Sequence, residues 1–207
     1  AEMGYKASQL ARSDLMEQGS FGAGTGASIG KLFGQKGAVK SGVGSASIVS
    51  ADGLVVAALA VVNNFGDVLD YRTGKILAGC RNPETNEFVD LTRILAGMTK
   101  SPEISVGENT NLGVICTNAK LDKVRASILA KMAEAGFARS LSPVHSTFDG
   151  DIIFAVSVGE IEAEINRLGI LAAEVLARAV NNAVIYADGL GALPALKDLK
   201  ALAPSNP

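Results

Sequence analysis

Hydrophobic positions recur at two different spacings along this 207-residue chain. Continuous apolar runs typical of buried strands lie at Leu54–Val62, Leu112–Cys116 and Ile152–Val158. Apolar residues at helical spacing predict three helices, over residues 1–18, from Leu121 to a stop at Gly136, and over residues 165–186. Because strands and helices alternate in the second half, the pattern indicates a layered α/β fold.

Each of the two later helices has a predicted buried face. In the helix that ends at Gly136 the face comprises Leu121, Val124, Ile128, Met132 and Ala135. In the long helix it comprises Leu168, Ala172, Val175, Leu176 and Ala179.

Turn residues mark the connections between these elements. Asp52-Gly53 predicts a hairpin between a strand near Ser47–Ser50 and the Leu54–Val62 strand. Thr73-Gly74 predicts the turn of a short β-ribbon over residues 67–77. Residues 80–108 are polar and predict an exposed connector with one helical turn near 91–98, and the proline-containing tail after residue 189 predicts frayed structure.

Composition narrows the class of protein. Apolar residues make up 48% and charged residues 19% of the chain, which fits one compact domain with an aliphatic core and excludes a disordered chain. The formal charge of −2 argues against a nucleic-acid or acidic-membrane partner. The longest apolar run is far short of the roughly 20 residues that span a bilayer. Cys80 and Cys116 form neither a metal-spaced pair nor a disulfide framework, so a cytoplasmic location is predicted.

A glycine-dense loop, Phe21–Lys31, first suggests phosphate binding, but its spacing fits neither phosphate motif. A Walker A loop needs glycine where Thr25 stands and Ser or Thr where Leu32 stands. A dinucleotide loop needs glycine where Ala27 stands. Two interpretations stay open: a loop where backbones approach closely, or a pocket wall that places Lys31 near a reaction centre.

Several polar residues have both a structural and a functional interpretation. His145 is the only histidine and either forms structural hydrogen bonds or acts in catalysis. Asp149 and Asp151 bracket a glycine at the start of an apolar strand, either as turn formers or as a carboxylate pair that binds or shares protons. Asn63 is a turn residue or an oxyanion donor at a strand end. Histidines and cysteines are too few for a catalytic zinc site, and no cofactor is predicted.

Thr110 stands at the mouth of the Leu112–Cys116 strand, directly after Asn109. If the Asn109–Thr110 bond is cut, Thr110 becomes an N-terminal residue that carries a hydroxyl nucleophile and an amine base together. If the bond stays intact, Thr110 is an ordinary strand residue.

Six blocks of sequence, in the same chain order, resemble the DmpA-type aminopeptidases, also described as L-aminopeptidase/D-esterases. Relatives of that family include the β-peptidyl aminopeptidases (BapA) and the nylon-oligomer hydrolase NylC. The blocks are Ala1–Tyr5, Gly22–Lys31, Ser41–Ala46, Val61–Asn64, Asn109–Asn118 and Pro143–Asp151. The resemblance extends through nearly the whole chain to about Tyr186.

The resemblance implies a four-layer αββα sandwich like that of the N-terminal-nucleophile (Ntn) hydrolases, with different connectivity. It implies self-cleavage before Thr110, so that residues 1–109 and 110–207 become two segments of a single domain over residues 1–207. Family members carry a further glycine-rich part of the same sandwich ahead of the first block. We therefore expect the domain and its substrate pocket to be incomplete in this chain.

The same resemblance assigns roles at five positions. It implies that Thr110 is the nucleophile, that Lys31 lies close to it and that Asn63 helps to stabilise the oxyanion. Asp149 and Asp151 are implied to hydrogen-bond to the nucleophile and orient it. Because the aminopeptidase branch commonly has hydroxyl residues at these two positions, the aspartates favour the nylon-hydrolase-like side.

The expected function is therefore a self-processing amide hydrolase that acts on short peptides or amides through an acyl-enzyme. The resemblance also implies a homo-oligomer, commonly a tetramer. Two alternatives stay open. Ornithine acetyltransferases also self-process before a threonine in a related sandwich, which makes an acyltransferase the first. A non-catalytic binding or structural protein with the same fold is the second.

Overall fold

The computed structural model describes residues 2–11, 16–100, 109–147 and 149–202. Its helices are α1 (Glu2–Gln9), α2 (Leu91–Gly97), α3 (Lys123–Ser140), α4 (Ile165–Ile185) and α5 (Leu196–Leu202). Its first strands are β1 (Ser28–Ile29), β2 (Val39–Lys40), β3 (Val43–Val49), β4 (Val55–Val61), β5 (Asp67–Leu69) and β6 (Ile76–Ala78). The remaining strands are β7 (Leu112–Ala119), β8 (Leu141–Ser142) and β9 (Ile152–Ile161).

The main sheet has four strands in the order β3-β4-β7-β9. The predicted hairpin is confirmed, since β3 and β4 are antiparallel and Gly53 adopts a φ of +80° in the turn between them. Strand β3 begins at Val43, earlier than predicted. Strand β4 pairs antiparallel with β7, whereas β7 and β9 run parallel. Strand β7 is therefore an inner strand, with β4 on one side and β9 on the other over Leu112–Thr117.

Helices α3 and α4 cover one face of this sheet and form the core with it. Alternate residues of β4 and β7 are buried against the helices, among them Val56, Ala58, Ala60 and Ile115. Gly44 of β3 permits the closest approach, because a Cβ at that position would lie 2.0 Å from the carbonyl oxygen of Ala179 in α4. Helix α4 is long and apolar enough to cross a membrane by length and composition alone, but 67% of that window is buried inside the fold. It has the burial of a core helix.

The opposite face of the main sheet carries apolar side chains that are partly or largely exposed. On β9, Phe154 is 52% and Val158 is 74% exposed, and Leu112 of β7 and Val49 of β3 are exposed on the same face. Within the described ranges, the structure therefore shows one helical layer on one four-stranded sheet, two of the four expected layers.

Two smaller sheets complete the fold. Strands β5 and β6 form the predicted ribbon, and β8 joins the other edge of β5. Strands β1 and β2 form an antiparallel pair, and β1 lies within the glycine-dense loop. In the predicted connector, the helical turn is confirmed as α2, while residues 101–108 lie outside the described residues.

Two predictions about helices are wrong in detail. Helix α1 ends at Gln9, and residues 16–18 are not helical; residues 12–15 lie outside the described residues. In α3 the predicted face points away from the core, since Val124 is 67% and Ile128 is 42% exposed. The buried face is formed instead by Leu129, Ala133, Gly136, Phe137 and Ser140. Both faces of α3 carry apolar residues, and only packing against α4 and the sheet selects one.

Gly136 and the tail also differ from the predictions. Helix α3 continues through Gly136 to Ser140, because this glycine serves a helix–helix contact: a Cβ there would lie 2.5 Å from the carbonyl oxygen of Ala173 in α4. After residue 189 the chain forms α5 instead of fraying, and Ala195 and Leu196 are buried in the described part of the tail.

Candidate active site

The Asn109–Thr110 peptide bond lies at the entrance to β7, held from both sides. On one side, the Thr110 N–H donates to the Asn63 carbonyl oxygen at 3.0 Å. On the other, the Gly150 N–H donates to the Asn109 carbonyl oxygen at 2.9 Å. The Thr110 hydroxyl Oγ1 donates to that same carbonyl oxygen at 2.7 Å. A hydroxyl therefore lies against the carbonyl group of the bond that the sequence singled out.

The glycine-dense loop delivers Lys31 to this bond, as one of its two interpretations predicted. Gly30 takes a φ of +68° and lies so close to Cys80 that a Cβ would be 2.3 Å from its backbone nitrogen. The Lys31 N–H donates to the Phe65 carbonyl oxygen at 2.9 Å. From this anchored backbone, Lys31 Nζ donates to Asn63 Oδ1 at 2.7 Å and to Asn109 Oδ1 at 2.8 Å. The ammonium group thus joins the two asparagines beside the bond.

Asn63 lies at the end of β4, next to the mouth of β7. Its Oδ1 accepts from Lys31 Nζ and, at 3.2 Å, from the Ser28 N–H. The side-chain oxygen of Asn63 accepts these bonds and cannot donate. The side-chain group that can donate to an oxyanion is therefore its Nδ2.

The two aspartates flank Gly150 just before β9, and each carboxylate accepts a hydrogen bond from a backbone N–H of another segment. Asp149 Oδ1 accepts from the Phe65 N–H at 3.0 Å, and its Oδ2 accepts from the Ser146 hydroxyl at 2.6 Å. Burial raises the pKa of the Asp149 carboxyl above its ordinary value. Asp151 Oδ1 accepts from the Asn111 N–H at 3.1 Å. Asp151 therefore fixes Asn111, the residue after Thr110, whereas Asp149 fixes Phe65 and Ser146. The implied contact of both carboxylates with the Thr110 hydroxyl stays a prediction.

His145 lies beside Asp151 at the rim of the site. Its backbone N–H donates to Asp151 Oδ2 at 3.1 Å, and its Nδ1 lies 3.3 Å from the same oxygen. The residue adopts a φ of +51°, and its ring lies 6.4 Å from that of Phe137, centroid to centroid. The only histidine therefore contacts one of the assigned carboxylates.

Sequence reasoning missed Asn111, which is fully buried and binds two assigned residues. Its Oδ1 accepts from the Asn63 N–H at 3.1 Å, and its Nδ2 donates to Asp151 Oδ1 at 2.7 Å. The signal was present, because an asparagine stands on each side of Thr110 directly before an apolar strand.

Two buried charged groups support the loops around the site and were also missed. Lys40 Nζ donates to the carbonyl oxygens of Gly24, Ala27 and Ser41 at 2.8, 2.9 and 2.6 Å, and burial lowers the pKa of its ammonium to about 8. Asp67 Oδ1 and Oδ2 accept from the Cys80 and Leu91 N–H groups, and burial raises the pKa of its carboxyl to about 6. A charged residue on a short strand gives no sequence signal for this role.

Among the described residues, His, Cys, Asp and Glu form no group of three that could hold a metal ion. Cys80 and Cys116 are not joined in a disulfide.

Two solved structures share the fold of this chain. Over 96% of this chain, the l-aminopeptidase D-Ala-esterase/amidase of Ochrobactrum anthropi, a variant of the Ntn-hydrolase fold, superposes with a TM-score of 0.62 at 19% identity. The PH0078 protein of Pyrococcus horikoshii superposes with a TM-score of 0.61 at 27% identity, also over 96% of this chain. The chain covers 55% and 54% of these structures, respectively. The predicted fold class is confirmed by this likeness.

The family model of peptidase family S58 matches residues 1–194, and the chain belongs to this family. An uncharacterized aminopeptidase of Mycobacterium leprae is 32% identical over 94% of this chain. A 6-aminohexanoate-oligomer endohydrolase of Kocuria sp. is 29% identical over 77% of it. The chain spans 58% of the length of the first relative and 45% of the second. The resemblance to the aminopeptidase family that the sequence blocks indicated is confirmed.

Proposed function

We propose that this chain supplies the reaction centre of a self-processing amide hydrolase, with Thr110 as the nucleophile of both its own cleavage and substrate hydrolysis. The observation that carries the proposal is the 2.7 Å hydrogen bond from Thr110 Oγ1 to the Asn109 carbonyl oxygen. It places the hydroxyl against the carbonyl group that self-cleavage must attack.

Self-cleavage begins when Thr110 Oγ1 attacks the Asn109 carbonyl carbon. The carbon–nitrogen bond breaks, the Thr110 nitrogen takes up a proton in exchange for the one the hydroxyl gives up, and an ester links Asn109 to Oγ1. Water then hydrolyses the ester and leaves a carboxylate on Asn109 and both a hydroxyl and an amine on Thr110. The bond from the Thr110 nitrogen to the Asn63 carbonyl oxygen holds that nitrogen near its position throughout.

Substrate hydrolysis repeats the chemistry with an external amide. Thr110 Oγ1 attacks the substrate carbonyl carbon while the Thr110 amine takes the hydroxyl proton and passes it to the departing amine. Water then releases the acid from the acyl-enzyme. One hydroxyl therefore performs activation and catalysis.

The neighbouring residues take distinct parts in this proposal. Lys31 contributes positive charge next to the bond that is attacked, where negative charge develops on oxygen. Asn63 Nδ2 donates to the oxyanion, and one good donor of this kind lowers the activation barrier by roughly 3–4 kcal/mol. Asp149, with its raised pKa, and Asp151 orient the nucleophile and accept protons.

We assign short peptides or amides as the substrate class. The names of the relatives support amide-bond substrates, since one is an aminopeptidase and the other an endohydrolase of 6-aminohexanoate oligomers. A homo-oligomer and a cytoplasmic location stay predictions, which light scattering at several concentrations and cell fractionation would test.

Intact-mass measurement and a denaturing gel test the proposal directly. The chain should yield two fragments, 1–109 and 110–207. Thr110→Ala should stay uncut and inactive, whereas Thr110→Ser, which keeps a hydroxyl, should be cut. Thr117→Ala is the matched control, because Thr117 lies in β7, the strand that follows Thr110, and its hydroxyl binds the Val55 carbonyl oxygen instead. An active, uncut Thr110→Ala chain would refute the proposal.

The acyl-enzyme also distinguishes the acyltransferase alternative. We expect hydrolysis to dominate when an amine acceptor is added to the reaction. Transfer of most acyl groups to the amine instead of water would reassign the centre to acyl transfer.

A further inference from the structure

The backbone N–H of Gly150, the residue between Asp149 and Asp151, is placed next to the bond that Thr110 faces. Gly150 lies directly before β9, and its N–H points at the carbonyl oxygen of Asn109, 2.9 Å away. This oxygen is the atom on which negative charge develops when the Thr110 hydroxyl attacks. The same oxygen thus has the attacking hydroxyl and a backbone donor beside it.

We propose that the Gly150 backbone N–H is an oxyanion donor of the Thr110 centre. It first stabilises the tetrahedral intermediate at Asn109 and, once Asn109 has been cut from Thr110, it receives the carbonyl oxygen of the substrate. This inference rests on the proposed self-cleavage and adds to it a donor that no side chain supplies.

The donor is held rigidly because it belongs to the parallel ladder between β7 and β9. Asn109 and Asp149 form a bridge, and one step further the Ile152 N–H donates to the Asn111 carbonyl oxygen at 3.0 Å. The carboxylates on both sides are fixed in turn, Asp149 by the Phe65 N–H and Asp151 by Asn111. Fixed donors are effective in catalysis because they need no reorganisation when charge develops.

The absence of a side chain at position 150 is also explained by the nucleophile. A Cβ on Gly150 would lie 3.0 Å from Thr110 Oγ1 and 3.8 Å from the Asn109 carbonyl oxygen. A contact of 3.0 Å would press on the hydroxyl and move it from its position over the carbonyl. Glycine therefore leaves room for the nucleophile while its N–H binds the oxygen.

The decisive experiment replaces this one amide N–H by an ester oxygen. Glycolic acid incorporated at position 150 by nonsense suppression removes the donor and leaves the side chains unchanged. The matched control carries glycolic acid at Gly159, which lies within β9 beside Asn118 and away from Thr110. The measured quantity is the rate at which fragment 110–207 appears, followed by intact mass.

In the chain with the ester at position 150, we expect cleavage between Asn109 and Thr110 to be at least roughly 10²-fold slower than in the chain with the ester at position 159. This is the effect expected for loss of an oxyanion donor. Equal cleavage rates of the two esters would overturn the inference. If the unmodified chain is not cut at all, the proposed self-cleavage itself fails, so the two failures are distinguishable.

A second variant separates the donor from the space around it. Gly150→Ala keeps the N–H but crowds the Thr110 hydroxyl. The Gly150→Ala chain should therefore be cut more slowly than the unmodified chain and faster than the chain with the ester at position 150. Cleavage of Gly150→Ala at the rate of the unmodified chain would contradict the space requirement described for this position.

Discussion

Lys31 and Asn109 are joined by a hydrogen bond of 2.8 Å between Nζ and Oδ1, although 78 positions separate them in the chain. Asn109 is 2% exposed, so this bond is shielded from water. The contact links the glycine-dense loop to the residue whose carbonyl group the Thr110 hydroxyl faces. Gly30, the residue before Lys31, allows the close approach of this loop to the Cys80 backbone.

The first prediction concerns this ammonium group. Lys31→Met should slow the appearance of fragment 110–207 by roughly 10- to 100-fold, the range that corresponds to loss of a hydrogen bond from a charged donor. Lys31→Arg keeps the charge and should retain more of the rate. Intact mass over time provides both rates. Cleavage of Lys31→Met at the rate of the parent chain would remove Lys31 from the mechanism.

The second prediction concerns the contact between α3 and α4. Gly136→Ala should lower the free energy of unfolding by about 1–3 kcal/mol, the usual cost of overpacking, because its Cβ would lie 2.5 Å from the Ala173 carbonyl oxygen. Gly97→Ala is the matched control at the end of α2, where a Cβ meets nothing within 4 Å. Urea unfolding compares the two. A stabilised Gly136→Ala variant would contradict the packing described for this glycine.

The third prediction concerns the buried ammonium of Lys40. Lys40→Met removes the ammonium donor from three carbonyl oxygens, of which those of Gly24 and Ala27 keep a backbone N–H donor. We expect a loss of about 1–3 kcal/mol in the free energy of unfolding at pH 7. The exposed Lys36→Met serves as control and should stay within about 0.5 kcal/mol of the parent. Urea unfolding measures both. An Lys40→Met chain as stable as the Lys36→Met chain would show that these three bonds contribute nothing net.

The fourth prediction concerns the pH dependence that Asp67 creates. Its pKa is about 6 in the folded protein and 3.8 ordinarily, so between these values the folded state binds more protons than the unfolded state. The contribution of Asp67 to stability therefore falls as pH rises from about 4 to 6. Relative to Asp67→Asn, the parent chain should lose on the order of 3 kcal/mol across this range. Parallel stability curves for the two chains would contradict the assignment.

Much of the sheet and one helix were predictable because their patterns have a single interpretation. The runs at β4, β7 and β9 are continuous and apolar, and Asp52-Gly53 fixes the hairpin before β4. In helix α4 the five residues that spacing predicted are all buried, although further residues are buried beside them and Ile170 and Ile185 are exposed. Helix α3 has apolar residues on both faces, and the sequence could not show which face meets α4.

The sequence by itself determined where the apolar runs of β4, β7 and β9 lie along the chain, the likeness to one family and the position of Thr110 after Asn109. Only the tertiary structure decided that Asn109 is held by Lys31 and Gly150, that Asn111 joins Asn63 to Asp151, and that Lys40 and Asp67 are buried. The reason is physical. Periodicity reports which face of an element is apolar, whereas hydrogen bonds between distant segments depend on how the elements pack, and a backbone N–H such as that of Gly150 has no side chain by which a sequence could reveal it.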